Sequence, residues 1–254
     1  MKYMGSKARI AKQLLSVMMP DVVDQGITTW IEPFVGGGNM IKCVADSLNK
    51  VGFDNNKYLI EMFKHIQEFG FDYSDVIEKS LYDSVRSQYN QRDDAEVLKL
   101  YDDSFVGWVG YMASANGRFF DGGYSGISQT KVGTTRNYID ESVRGLKKEW
   151  NLFQNVKFCC DNYLNITSEN ALIYCDPPYK GTKTYNTSKA FDHDEFWNWC
   201  RVMSDKNVVY ISEYTAPEDF TCVWQHDVGS SLSANGVSGG RKRSTEKLFK
   251  LIKY

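Results

Sequence analysis

"TTWIEPFVGGGNM", residues 28–40, runs from β-branched and aromatic residues into an acid, a proline and three consecutive glycines. Its first seven residues have the composition of a short buried strand. Glycines permit positive φ and let a backbone approach another group closely. The pattern predicts a strand, a tight turn and a helix starting near Asn39, whose free N–H groups would face the same spot. Such a corner suits something flat and polar.

The next acid on a strand supports that reading. In "GFDNN", Asp54 lies eighteen positions after Gly36, where a carboxylate can accept both hydroxyls of a ribose. A dinucleotide fingerprint needs a third glycine; Gly36 and Gly38 fit the first two positions, but Ile41 occupies the third. The pair therefore reads as a nucleoside site, with a nicotinamide oxidoreductase kept as a disfavoured alternative. A nucleoside without phosphate, such as S-adenosylmethionine, would present an amino acid instead, and Glu32 suits its ammonium group. Near the start, "KYMGSK" offers Lys7 for a carboxylate and Tyr3 as a packing surface, although the residues alone are equally a surface lysine and a partly buried tyrosine.

Around this corner, short apolar runs alternate with helical periodicity, the pattern of a mainly parallel, doubly wound sheet. Strands are expected at 28–34, 50–54, 156–161, 171–176 and 208–214, followed by "FTCVWQHDV" and "EKLFKLIK" as an antiparallel pair. Helices are expected at 5–18, at 138–153 with Val143, Leu146 and Trp150 on one face, and after Asp192, a candidate cap. Between about 56 and 140 the alternation stops, and the chain becomes acidic and helical, then rich in Gly, Ser, Asn and aromatics. We expect a core domain from residues 1–56 and 141–254, with 57–140 as an inserted, mainly helical subdomain.

With 254 residues, 42% of them hydrophobic, the chain can bury a sizeable core. No run approaches the roughly 18 apolar residues of a membrane span, so no membrane association and a cytoplasmic location are expected. The six cysteines form no C-x-x-C pair, and with three histidines no metal site is expected; the thiols read as buried structural side chains. A net charge of −2 means that any contact with a polyanion must be local.

The second chemical signal is "ALIYCDPPYKG", residues 171–181. Each proline fixes its own φ, lacks an N–H and pushes the preceding residue towards extended geometry. Asp176 and the Pro177 carbonyl thus become two fixed acceptors beyond a buried strand. A primary amine on an aromatic ring needs such a pair: with both N–H bonds held, its nitrogen can pyramidalise and aim its lone pair at an incoming methyl group. Tyr179 offers a stacking face for a base, a contact worth about 1–3 kcal/mol. A base in a duplex must first be rotated out, at a cost of a few kcal/mol.

At these residues the chain resembles the Dam-type DNA adenine methyltransferases, including phage and prophage members. The likeness spans nearly the whole sequence in that family's order: "KYMGSK", "EPFVGGG", "FDNN", a target-recognition insert, "CDPPY" and the late stretch from Phe191 to Phe220. It implies a Rossmann-like methyltransferase fold, S-adenosylmethionine as donor without a metal, and the 6-amino group of a flipped adenine in double-stranded DNA as acceptor. By the resemblance, cofactor contacts fall to Tyr3, Lys7, Asp54, Asp161 and Asp176, alongside Glu32, Phe34, Gly36 and Gly38 of the strand and turn; base contacts fall to Asp176, Pro177 and Tyr179. The stretch "ANGRFFDGGYSG" is similar to the family's DNA-contacting region but departs in length and order. Arg118 in this stretch is the first candidate for a DNA contact and Arg136, further on, the second; the loop "KGTKTYNTS" after the corner and the later "GGRKRS" offer Lys180, Lys183, Arg241 and Arg243 for the backbone of the flipped strand.

Two acceptors suit any exocyclic amine, so methylation of the cytosine 4-amino group, or of an RNA base, remains a competing reading. A catalytically silent DNA-binding module is a further one, which the intact Asp176 and Tyr179 disfavour.

Overall fold

The computed structural model describes residues 1–96, 98–129, 132–181, 191–229 and 243–252. Seven strands form the main sheet: β1 (Thr29–Glu32), β2 (Asn49–Asp54), β5 (Val156–Cys160), β6 (Ala171–Cys175), β7 (Val208–Glu213), β8 (Phe220–Gly229) and β9 (Arg243–Leu251). Their order is β5-β2-β1-β6-β7-β9-β8. The first five run parallel, β9 is antiparallel to β7, and β8 pairs antiparallel with β9, as the sequence led us to expect. Central strands β6 and β7 are buried along their whole length, the usual state of a parallel strand covered on both faces.

Alternation along these strands feeds two cores. Trp30, Leu172, Tyr174, Val208 and Tyr210 point to one face, packed with Leu14 and Met18 of α1 (Ala11–Asp24) and Leu59 and Phe63 of α2 (Lys57–Phe69). Ile31, Ile173, Cys175, Val209 and Ile211 point to the other, against Phe196, Trp197 and Trp199 of α6 (His193–Ser204). Asp192 caps α6 by accepting from the N–H groups of Asp194 and Glu195. Helix α1 starts at Ala11, later than expected, and runs through Pro20 to Asp24.

Between β2 and β5 lie α2, α3 (Lys79–Asn90), α4 (Asp103–Met112), the hairpin β3 (Ile127–Gln129) and β4 (Thr135–Asn137), and α5 (Tyr138–Glu149). The fold is a Rossmann-like methyltransferase fold with an inserted helical subdomain in this stretch, and α5 leads back to β5. The subdomain's core is continuous with the sheet's, because α2 packs on β2 and β5 on one side and on α4 on the other.

Two expectations are corrected. No α-helix follows the glycine turn: the chain makes a single 3₁₀ turn, Ile41–Cys43. Asn39, the expected helix start, donates to the Met1 carbonyl and accepts from the Lys42 ammonium instead. The thiols also divide, with Cys175 and Cys200 buried but Cys43, Cys160 and Cys222 exposed.

Candidate active site

The sheet order places a site before any side chain is considered. From β1 the chain proceeds outward to β2 and β5, then returns to β6 on the opposite side of β1. The crevice beyond the carboxyl ends of β1 and β6 is thus a topological switch point, where open α/β sheets bind ligands. An acid stands at the end of every parallel strand: Asp161 after β5, Asp54 on β2, Glu32 on β1, Asp176 after β6 and Glu213 on β7.

The acids are held differently. Asp54 accepts from the N–H groups of Gly36, at 3.0 Å, and Asn56, at 2.9 Å, tying the glycine turn to the end of β2. Burial pushes its carboxyl upward, against those two bonds. Glu32 is 2% exposed and accepts from the Trp30 indole N–H at 3.0 Å. Burial drives it well above the usual carboxylate range, and the nearby charge of Asp176 adds to this. Asp161 is exposed, holding Asn162 N–H and the Asn165 amide through one oxygen, while its own N–H reaches the Asp54 carbonyl.

At the Asp-Pro-Pro-Tyr corner, Lys7 is 7% exposed and stands 3.2 Å from both Asp176 and Glu246. Burial alone would lower the Lys7 ammonium, but the two carboxylates overcome it and raise it. The Asp176 carboxyl is raised by burial, with Lys7 opposing and Glu246 reinforcing the rise. Tyr179 donates to Glu246 at 3.0 Å, meets Tyr214 edge-on at 4.7 Å, and has the Lys7 ammonium 4.5 Å from its ring centre. Glu213 accepts from the N–H groups of Tyr214 and Lys180, pinning the far end of the corner.

Tyr3 lies on the glycine turn: a Cβ on Gly36, whose φ is +46°, would come within 2.7 Å of its ring. The ring stacks on Tyr111 at 5.9 Å. Gly117 sits so close to the Lys2 carbonyl that a Cβ there would approach to 2.3 Å, docking "ANGR" of the insert on the N-terminal segment.

Across residues 3–202 the sequence matches a family described as D12 class N6 adenine-specific DNA methyltransferase. The chain belongs to that family. It is 24% identical over 226 residues to the type II methyltransferase M.MjaIII of Methanocaldococcus jannaschii, covering 77% of this chain and 74% of that one. It is also similar to a solved structure from Escherichia coli described as a methyltransferase, with a TM-score of 0.38, 7% identity and coverage of 99% and 90%. Another, from Haemophilus influenzae and described as a methylase, gives 0.35, 8%, 96% and 89%.

In this D12 family member the residues expected to serve chemistry are partly assembled. Glu32, Gly36, Asp54 and Asp176 lie at the carboxyl edge, and Asp176 and Tyr179 meet Lys7. The Lys7 charge, expected to face a cofactor carboxylate, is engaged by Asp176 and Glu246. Phe34 is half-buried in the α6-side aromatic cluster with Tyr163, Phe191 and Phe196. Arg118 is exposed on the loop after the 3₁₀ turn Ala115–Gly117, whereas Arg136 forms a two-pronged ion pair with Glu141 and stacks on Tyr138. Lys180 is exposed; Lys183 and Arg241 lie outside the described residues, as does the side chain of Arg243. Sequence reasoning missed Glu213, Tyr214 and Glu246. Glu213 carried a signal, an acid ending an apolar strand as Asp54 ends β2. Glu246, inside "STEKLFKLI", carried none.

The acid row also tests the cofactor. A pyrophosphate binds where a helix N-terminus offers N–H groups; here there is a 3₁₀ turn and a line of carboxylates. That set fits S-adenosylmethionine, whose sulfonium and ammonium are both positive. Among the described residues no three His, Cys, Asp or Glu side chains are grouped to hold a metal ion, and no helix is long and apolar enough to cross a membrane.

Proposed function

We propose that the protein methylates the 6-amino group of an adenine flipped out of double-stranded DNA at a specific site, using S-adenosylmethionine. The observation that carries this reading is the position of Asp176, partly buried at the β1/β6 switch point between Glu32 and the stiff corner that leads to Tyr179. Within the family we read the motif order, from "KYMGSK" to "CDPPY", as Dam-type, working in the cytoplasm of a bacterium or a phage-infected cell. The relative from Methanocaldococcus jannaschii, described as a type II methyltransferase, supports reading the chain as a methyl-transfer enzyme.

Held by Asp54 and Glu32, S-adenosylmethionine would supply an electrophilic methyl group to the amine nitrogen, with the sulfur as leaving group keeping the electron pair. The chain supplies the rest. Asp54 receives the ribose hydroxyls on the lone pairs its backbone partners leave free, and Glu32 receives the ammonium. Tyr3 closes over the glycine turn. Asp176 and the Pro177 carbonyl grip the amine hydrogens, aiming the nitrogen before any proton moves. Asp176 then stabilises the positive charge that develops on nitrogen and takes its proton once the new bond has formed. Lys7 favours the ionised Asp176, the state that accepts hydrogen bonds, against its burial. Tyr179 presents ring surface to the base.

The test is transfer of labelled methyl groups to plasmid DNA, with modified bases mapped by single-molecule sequencing. Label should enter duplexes containing adenine and be absent from duplexes lacking it. Label entering adenine-free, cytosine-containing DNA, or RNA alone, would overturn the assignment. Asp176→Ala should abolish transfer while leaving circular dichroism and the melting temperature nearly unchanged. Because the Asp176 carboxyl is raised, the acidic fall in kcat should lie above the ordinary Asp value of about 3.9.

A further inference from the structure

Beyond the motifs, one carboxylate joins the site from a strand that contains no recognised signature. Glu246 lies on β9, opposite His226 of β8, and its side chain is 13% exposed. One oxygen, Oε2, serves two partners at once: the Tyr179 hydroxyl at 3.0 Å and the Lys7 ammonium at 3.2 Å. Lys7 in turn lies 3.2 Å from Asp176 and over the Tyr179 ring. A closed circuit results, in which Asp176 and Tyr179, three residues apart on a rigid corner, are also joined through Lys7 and Glu246.

We propose that Glu246 is a positioning residue of the methyl-transfer site, clamping Lys7 against Asp176 and fixing the tilt of the Tyr179 ring that receives the base. The proposal rests on the function proposed above. Physically, lysine is a compact charge on a flexible four-carbon stem, and a second anion on its other side restrains where that charge points. The bond from the Tyr179 hydroxyl to Glu246 adds to the Tyr214 edge contact in fixing the tilt of the ring. Both restraints come from β9, whose start lies at this edge because β9 runs antiparallel to β7.

The groups facing Asp176 are Lys7 from the N-terminal segment, Glu32 from β1, Tyr174 from β6, Tyr179 from its own corner, Glu213 from β7 and Glu246 from β9. Removing the Glu246 charge takes one like charge away from Asp176 but frees Lys7, whose pull on Asp176 is the larger of the two. Glu246→Gln retains an acceptor for Tyr179 but weakens the hold on Lys7. Its kcat for plasmid methylation should fall about tenfold or more, with KM for S-adenosylmethionine changed less than about twofold. The acidic limb of its kcat profile should move to higher pH, because a Lys7 no longer held against Asp176 favours its ionised form less, a shift that a loss of fold alone would not produce. Glu246→Asp should recover part of the rate, and combining Glu246→Gln with Tyr179→Phe should cost less than the product of the two single losses.

A wild-type kcat in Glu246→Gln would overturn the proposal. So would a lower rate with an unmoved acidic limb and a fallen melting temperature. If the wild-type chain transfers no methyl group at all, the functional reading fails, and the clamp is judged separately on 15N-lysine-labelled protein. The Lys7 ammonium, assigned through Lys7→Arg, should titrate at lower pH in Glu246→Gln than in the wild type. An unchanged titration would end the case for the clamp.

Discussion

Glu32 illustrates how a single side chain trades stability for a site. It is a carboxylate at 2% exposure, with the Trp30 indole as its hydrogen-bond donor and Asp176 as a like-charged neighbour. The folded chain therefore holds the Glu32 proton more tightly than the unfolded chain does, and folding loses stability as pH rises above the ordinary carboxylate range. Glu32→Gln keeps an acceptor for Trp30 and removes the buried charge. We expect it to gain about 1 kcal/mol at pH 7–8, the scale of stabilising changes at functional sites, seen as about 2–4 °C in melting temperature. The gain should vanish near pH 4, and cofactor affinity should fall. A melting temperature at pH 7.5 equal to or below that of the wild type would refute this.

Among the helices, α1 shows what anchors an element beyond its apolar stripe. Leu14, Met18 and Val22 bury one face, and Asp21 lies beside it, accepting from the Tyr210 hydroxyl of β7 and the Lys250 ammonium of β9. Burial raises the Asp21 carboxyl, but these two partners outweigh it and leave it lowered. Its stabilisation is therefore complete above the unfolded Asp value of about 3.9 and is lost as pH falls through the lower folded value. Both ends of the Asp21–Lys250 pair are partly exposed, so solvent screening limits the cost of Asp21→Asn to about 1 kcal/mol at pH 7. The difference from wild type should narrow and close as pH falls below the ordinary Asp value of about 3.9 in thermal melts; a gap that persists in strong acid would point to lost packing instead. Elements were read well where periodicity and burial agree, as in β6, β7 and α6. The turn after β1 was not, because buried Met40, Ile41, Val44 and Leu48 have helical spacing although the chain there makes only a 3₁₀ turn. Local spacing could not reveal that Met1 and Lys42 capture Asn39.

Taken whole, the molecule carries a net charge of −2 and a row of acids along one sheet edge, so it offers no general attraction to DNA. Recognition must come from local cations, and the two candidate arginines differ. Arg118 is exposed on a loop docked against the N-terminal segment, while Arg136 is already neutralised by Glu141, whose carboxyl its hydrogen bonds pull down to about 2. We expect Arg118→Ala to reduce the slope of log affinity against log salt by about 1 and Arg136→Ala to change it less. Fluorescence anisotropy between about 50 and 200 mM salt would measure both. An unaltered slope in Arg118→Ala would remove it from the interface.

Composition and alternation were enough to read the parallel sheet, its antiparallel finish and the helical insert, since these follow from which residues leave water. The corner Asp-Pro-Pro-Tyr was also readable, because proline constrains its own neighbours and needs no distant partner. Folding alone settled what Lys7 faces, where Tyr3 packs and which acid completes the corner. Those answers depend on chain segments more than 60 residues apart meeting at one strand edge, as Lys7, Asp176 and Glu246 do, and no local pattern records such a meeting.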